Sequence, residues 1–181
     1  MDFRTLKVEP ATFESFAPYG TLICVNPAYP QRRSEFYGDT VELYAPGGFV
    51  SDEQTRLSVA RVHRRDPKVV WMERHFKHTQ TFMPLNGSSF IAVMGAPTDT
   101  NIPDPETVKA FYFDGSAGAQ LHLGTWHEFI FPAKDSADLM IIIRAETQAN
   151  LEQIEDNEAI GDDLEKRNLE KRLGFGFDFT L

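Results

Sequence analysis

Short apolar and β-branched runs recur along the chain at residues 81–84, 89–94, 108–113, 125–131 and 139–144. Turn chemistry separates them, at Asn86-Gly87, Ala96-Pro97, Asp104-Pro105, Asp114-Gly115 and Lys134-Asp135-Ser136. No helical pattern of ~10 to 15 residues intervenes, which disfavours a βαβ parallel sheet and predicts an antiparallel sandwich or small barrel. Residues 57–72 read as two extended pieces split at Asp66-Pro67, because proline disfavours helix for the residue before it. Near the start, Thr12 caps a single helical turn ended by Pro18, Gly20 releases the chain into an extended stretch over 21–25, and residues 26–33 read as loop. Alternation in residues 108–113 is only partial, as expected of a strand covered on both faces.

With 181 residues, 41% hydrophobic and 25% charged, the chain suits one soluble core. Its net charge of -9 opposes nucleic-acid or anionic-membrane binding. No apolar run exceeds the five residues 139–143, far short of the ~18 of a transmembrane helix, and the first ten residues lack a secretory h-region. Cys24 has no second cysteine to pair with, which fits a reducing compartment, so a cytoplasmic location is expected. The charge is uneven. Residues 146–181 hold ten acidic and four basic side chains, -6 of the -9. The chain is accordingly divided into a main domain over 1–145 and an acidic extension over 146–181, which is expected to dock on the same domain through Phe175, Phe177 and Phe179. Asp162 and Asp163 stand four residues before Lys166 and Arg167, which predicts a short surface helix over 162–172. Residues 174–179 alternate small or polar residues with phenylalanine and read as a final strand.

Phosphate-loop, Gly-x-Ser-x-Gly, His-Glu-x-x-His and Cys-x-x-Cys motifs are absent, and no nucleotide cofactor is expected. The histidines carry the chemistry instead. His75 follows Glu73 by two positions, so both project from one face of an extended segment, as do Gln80 and Phe82. An odd separation divides His75 from Gln80, and His122 from His127. Bends near residues 77–79 and at Gly124 are needed if Glu73, His75, Gln80, His122 and His127 are to converge in one barrel mouth. His63 and His78 are read as structural histidines, Trp126 and Phe82 as pocket wall or core, and Ser88 and Ser89 as turn residues.

Glu73-x-His75-x4-Gln80-x6-Gly87 resembles a degenerate first cupin motif, with Glu73 for its first histidine and Gln80 for its glutamate. His122-Leu123-Gly124-Thr125-Trp126-His127 resembles the later Pro-x-Gly-x-x-His motif, with His122 for the proline. More narrowly, Glu73-Arg74-His75, Thr79-Gln80, Phe82, Pro84, Gly87, His122, Trp126 and His127, with Phe16-x-x-Tyr19-Gly20 and residues 138–144, are similar to the ureidoglycolate lyase family over about residues 10–145.

The resemblance implies a mainly β fold, an antiparallel cupin-like barrel of the double-stranded β-helix or jelly-roll kind with a few short helices, assembled as a homodimer. It implies cleavage of ureidoglycolate, a small anionic substrate, to glyoxylate and urea in allantoin-derived purine nitrogen recovery, an amidine-lyase reaction. His127 and His75 are assigned proton transfer or metal ligation, Gln80 and His122 hydrogen bonds to substrate, and Glu73 an orienting or metal-binding role. The substrate carboxylate calls for a cation, with Arg74, Arg61 and Lys77 as candidates and Trp126 beside them. Glu73, His75 and His127 would suit Ni²⁺ first, then Mn²⁺ or Zn²⁺, although the neutral Gln80 is a weak ligand and a metal-free site also fits. Two alternatives stand beside this reading: a cupin enzyme acting on another small hydroxy or keto acid, and a non-catalytic cupin that binds a small ligand.

Overall fold

The computed structural model describes residues 1–33, 36–154 and 157–180, so Glu155 and Asp156 of the acidic extension lie outside the described residues. Strands β1 (Asp2–Leu6) and β2 (Val8–Pro10) lead into α1 (Phe13–Phe16). Thr12 Oγ1 accepts from the Ser15 N–H at 3.1 Å while Ser15 Oγ accepts from the Thr12 N–H at 3.0 Å, a reciprocal cap on the predicted turn. Then come β3 (Gly20–Ile23), β4 (Gln31–Arg33), β5 (Glu42–Tyr44), β6 (Thr55–His63), β7 (Lys68–Val69), β8 (Trp71–His75), β9 (Thr81–Pro84), β10 (Phe90–Gly95), β11 (Lys109–Phe113) and β12 (Gly118–Leu121). They are followed by β13 (Trp126–His127), β14 (Phe131–Pro132), β15 (Ser136–Arg144), α2 (Ala145–Ile154), β16 (Ala159–Ile160), β17 (Leu164–Asn168), α3 (Leu169–Leu173) and β18 (Phe175–Phe179).

Three expectations change. Gln31–Arg33 is not loop but pairs with β5. The ten residues of α2 are helical although no helix was expected there. Residues 164–168 form a strand, not the first half of a surface helix, because they pair with β8 from Leu164↔His75 to Asn168↔Trp71. That ladder, with burial of Leu164 and Arg167, outweighs the i,i+4 ion pairs, worth only ~0.2 to 0.5 kcal/mol each. Helix α3 starts only where Asn168 Oδ1 accepts from the Lys171 N–H at 3.0 Å, and it ends at Gly174, whose φ of 81° is left-handed.

The eight-stranded sheet β16-β17-β8-β13-β10-β11-β2, with β14 beside β10, lies in the middle of the molecule. One face meets the five-stranded sheet β3-β12-β9-β15-β6, burying Phe90, Ala92, Met94, Phe111 and Phe113 against Phe82, Ala119, Leu121, Leu139 and Ile141. The other face buries Met72, Ile91, Val93, Ala110 and Trp126 against Val69, Phe177 and Phe179 of the three-stranded sheet β1-β18-β7 and against Leu169 of α3. Burial on both faces explains the imperfect alternation of β11. The fold is therefore mainly β, with two facing and largely antiparallel sheets. The pairings among the described residues leave these two sheets as separate ladders.

Two predictions follow from this packing. A methyl on Gly20 would meet the Gln120 carbonyl oxygen at 2.3 Å and the Phe16 ring at 3.0 Å, so Gly20→Ala is expected to cost about 1 to 3 kcal/mol in thermal unfolding. Gly47→Ala, with nothing within 4 Å of the added carbon, is the matched control, expected to change stability by about 0.5 kcal/mol or less.

The second concerns Glu158, whose carboxylate accepts from Arg172 Nη2 at 2.6 Å and from the Asn168 N–H at 2.9 Å. The Arg172 bond, helped by that N–H against partial burial, holds its pKa down at about 2. A depressed carboxylate contributes stability that is full above its ordinary pKa near 4.5 and is lost as pH falls through about 2. Glu158→Gln is expected to destabilise by about 1 kcal/mol at pH 7, after allowance for the exposure of Arg172, and progressively less below pH 4. Urea unfolding across pH 2.5 to 7 checks it; a mutant difference that grows on acidification would contradict it.

Candidate active site

Along β8, Trp71, Glu73 and His75 project to the face that meets the five-stranded sheet, while Met72 and Arg74 project to the other. His127 on β13 is the cross-strand partner of Glu73, so these two share a face. The chain turns after His75, with an isolated bridge between His78 and Ser51, and so returns Gln80 to the same interior despite its odd separation from His75. Gly124, at φ 79°, supplies the bend before His127.

The resulting cluster is close. His127 Nε2 lies 3.0 Å from Gln80 Oε1 and 3.5 Å from Glu73 Oε1, and His75 Nε2 lies 3.7 Å from that same oxygen. The His127 Nδ1 is 3.0 Å from the Thr125 carbonyl oxygen, which can only accept, so Nδ1 carries a proton, and Nε2, facing Glu73 and Gln80, bears a lone pair when the ring is neutral and a proton aimed at Glu73 when it is an imidazolium. Gln80 meets that lone pair through its amide N–H₂ when its side-chain oxygen and nitrogen are exchanged, an assignment set by the hydrogen-bond network.

Burial raises the Glu73 carboxyl, but the adjoining His127 and His75 outweigh it and hold the group well below the usual carboxylate range. Burial likewise holds His75 below the ordinary imidazole range, and Glu73 offsets this only in part. Nearby Glu128 is shifted the opposite way, pushed up by burial against the opposing charge of Arg65.

A second group adjoins the first. His78 stacks on His75 with ring centroids 4.5 Å apart, and His78 Nδ1 lies 3.2 Å from Asp163 Oδ2, out of line for a hydrogen bond. Asp163 is anchored by the Phe76 and Lys77 N–H groups, at 3.1 and 2.7 Å, and by the Thr147 hydroxyl. Both ring nitrogens of His75 and of His78 are buried without a hydrogen-bond partner among the described residues. Glu73, His75 and His127 offer ligand atoms within 4.8 Å of one another, as do His75, His78 and Asp163. Buried, unbonded imidazole nitrogens beside a carboxylate fit a divalent cation. The 3.5 and 3.7 Å separations also suit donors that each lie about 2.0 to 2.2 Å from one ion.

The cluster opens into a cleft of about 420 Å³ lined by Glu73, His127, Glu128, Trp71, Phe129 and Lys166, with Gln148, Leu151 and Glu152 of α2 along its rim. The other residues expected at the site lie elsewhere. His122 is exposed, its Nε2 3.1 Å from the Ala17 carbonyl oxygen, in a separate groove beside Phe13 and Tyr29. Arg74 faces away, donating to Glu165 at 2.7 Å and to the Thr98 and Thr100 carbonyls, each at 2.7 Å, beneath the Trp126 ring. Trp126 belongs to that second core, its Nε1 donating to Thr98 Oγ1 at 3.0 Å. Arg61 is exposed and paired with Asp138 at 2.7 Å, and Lys77 lines a different cleft, 3.9 Å from Asp162. Sequence reasoning passed over His78, Asp163, Glu128 and Lys166. Parity with Gln80 is the local signal for His78 and adjacency to His127 the one for Glu128, whereas Asp163 and Lys166 are brought in by the return of residues 163–168 alongside β8, which leaves no mark in the local sequence.

A family model described as ureidoglycolate lyase matches residues 3–161, further at both ends than the 10–145 of the motif resemblance. A ureidoglycolate lyase of Brucella abortus is 30% identical over 161 residues, 84% of this chain and 90% of that protein. One of Pseudomonas paraeruginosa is 28% identical over 160 residues, 83% of this chain and 89% of that protein. Among solved structures, RmlC from Streptococcus suis in complex with dTDP-D-xylose overlaps 80% of this chain and 72% of its own, at 12% identity and a TM-score of 0.39. The extent of the family match, together with the Brucella relative, shows that the chain belongs to the ureidoglycolate lyase family.

Proposed function

We propose that this protein is a ureidoglycolate lyase that cleaves ureidoglycolate to glyoxylate and urea. The observation that carries the reading is the convergence of Glu73, His75, Gln80 and His127, with Glu73 and His127 lining a cleft and His75 and Gln80 buried behind them, in a chain of this family. The substrate bears a hydroxyl and a urea nitrogen on one carbon. His127 Nε2 takes the hydroxyl proton, the oxygen lone pair forms the aldehyde C=O, and the C–N bonding pair leaves with the urea nitrogen. That nitrogen receives the proton back from Nε2, so no net proton is gained or lost, as in amidine-lyase chemistry. Glu73, 3.5 Å from Nε2, stabilises the imidazolium while the proton resides there. Gln80 orients the ring, and His75 shields the pair from water.

The unbonded His75 nitrogens support a second form of the site, in which Glu73, His75 and His127 hold a divalent ion such as Ni²⁺, Mn²⁺ or Zn²⁺. An ion bound there would polarise the substrate oxygens. The same reading takes the enzyme as a cytoplasmic homodimer serving purine nitrogen recovery from allantoin. The edge strand β6, which exposes Leu57 and Val59 at 63% and 66%, supports an association surface.

Purified protein given racemic ureidoglycolate is expected to release glyoxylate and urea in equal amounts, and no release with or without Ni²⁺ or Mn²⁺ would overturn the reading. His127→Ala is expected to lower kcat by about 100-fold or more, whereas His122→Ala stays within about threefold of the unaltered enzyme. Calorimetric titration of the chelator-treated protein with Ni²⁺ tests the second form. Glu73→Gln is expected to weaken binding by about tenfold or more, and equal affinity in both proteins would remove Glu73 from the ligand set.

A further inference from the structure

His78 and Asp163 take no part in the proposed reaction, yet they are only 1% and 5% exposed, in an interior where an imidazole needs a partner. Neither ring nitrogen of His78 has one among the described residues, and the same holds for His75, on which its ring stacks. A plain ion pair does not account for the arrangement. His78 Nδ1 lies 3.2 Å from Asp163 Oδ2 but out of line, so an N–H there would not point at the carboxylate. That separation suits two donors that each lie about 2.0 to 2.2 Å from one ion. The ligand atoms of His75, His78 and Asp163 all fall within 4.8 Å of one another.

The carboxylate is already fixed in place. Asp163 Oδ1 accepts from the Phe76 and Lys77 N–H groups and Oδ2 from the Thr147 hydroxyl, which uses three of its about four lone-pair sites. The site left over is on Oδ2, the oxygen that faces His78. Asp163 also lines a second cleft of about 430 Å³, on the face of α2 opposite the substrate cleft. The cations of that cleft are balanced, since Arg144 pairs with Asp52 and Glu146 at 2.7 and 2.6 Å and Lys77 lies 3.9 Å from Asp162. Two imidazoles and one carboxylate are a donor set suited to Zn²⁺ or Ni²⁺.

We infer that His75, His78 and Asp163 form a second seat for a divalent cation, bordered by the cleft that Asp163 lines. Two of its three ligands differ from those of the Glu73, His75 and His127 seat: His78 stands outside the motif residues, and Asp163 lies beyond the 3–161 family match. The seat is read from the side chains and does not depend on the ureidoglycolate reading. A neutral imidazole offers one lone pair, so His75 serves one ion at a time and the chain takes one ion in all. Three hydrogen bonds on Asp163 make its seat the weaker of the two. An ion there leaves His127 Nε2 free for the substrate proton, which an ion on His127 would block.

The test uses chelator-treated Glu73→Gln protein, titrated calorimetrically with Ni²⁺ alone. Without its carboxylate the first seat keeps only neutral donors, so the ion passes to the second. The double variants Glu73→Gln/His78→Phe and Glu73→Gln/Asp163→Asn are titrated beside it. His78→Phe keeps a ring against His75 without its nitrogens, and Asp163→Asn keeps an oxygen for the two N–H groups. Glu73→Gln is expected to bind one Ni²⁺ per chain, and either second substitution to weaken that binding by about tenfold or more. The inference is overturned if Glu73→Gln binds no Ni²⁺, or if either double variant binds it as tightly as Glu73→Gln does. Should a double variant fail to fold, as read by near-ultraviolet circular dichroism, Glu73→Gln/His78→Leu takes its place under the same criteria. No substrate enters the titration, so its outcome is separate from that of the glyoxylate and urea assay.

Discussion

The middle sheet is buried on both faces, and the period of two along a strand then decides where every side chain goes. All six residues of β10 are buried, with Phe90, Ala92 and Met94 in one core and Ile91 and Val93 in the other. Because a slip of one residue would exchange the two cores, register in this sheet is tightly constrained. The same parity sends Glu73, His75 and His127 into the interior shared with the five-stranded sheet. Glu73 keeps only partial access to water through the cleft, and the two imidazoles beside it favour its ionised form.

This constraint also separates what could be read from the sequence from what could not. Turn residues marked most strand boundaries, since the Asp66-Pro67 break and the Thr12 cap are local events. Bends between His75 and Gln80 and at Gly124 were expected from parity, and the chain bends at both places, but only the first brings its pair together, since His122 lies in a separate groove from His127. Parity read within β8 would also have removed Arg74 from the list of substrate cations, since it follows Glu73 by one and must face away from it. Trp126 and His127 are divided in the same way. What stayed hidden depends on which strands are neighbours. Nothing local to residues 164–168 says that they pair with β8, and their charges imitate the i,i+4 pattern of a surface helix.

The acidity of the extension takes on a different meaning once its partners are known. Its net charge of -6 suggests a solvated surface. Yet Asp163 holds the Phe76 and Lys77 amides, Glu165 binds Arg74, and Glu158 binds Arg172 and the Asn168 amide. These carboxylates serve as internal acceptors at the end of the sheet.

Burying charges in this way is a poor route to stability, because the desolvation of a carboxylate and a guanidinium can equal or exceed their attraction. Their geometry serves alignment instead. Arg74 and Glu165 are cross-strand partners and are joined by a 2.7 Å hydrogen bond on the face away from the cleft. Arg167, fully buried, donates to the Asn101 carbonyl at 2.8 Å on that side as well. If β17 slipped by one residue, both bonds would break, Glu165 and Arg167 would turn toward the cleft, and Lys166 would be buried among apolar side chains without a partner. Loss of Glu165 would leave the buried Arg74 without its carboxylate, and burial of the Lys166 ammonium would add a second desolvated charge, together costing several kcal/mol, whereas two apolar strands could exchange registers at far lower cost. The charged pairs on one face thereby fix the row of Lys166, Glu73 and His127 on the other.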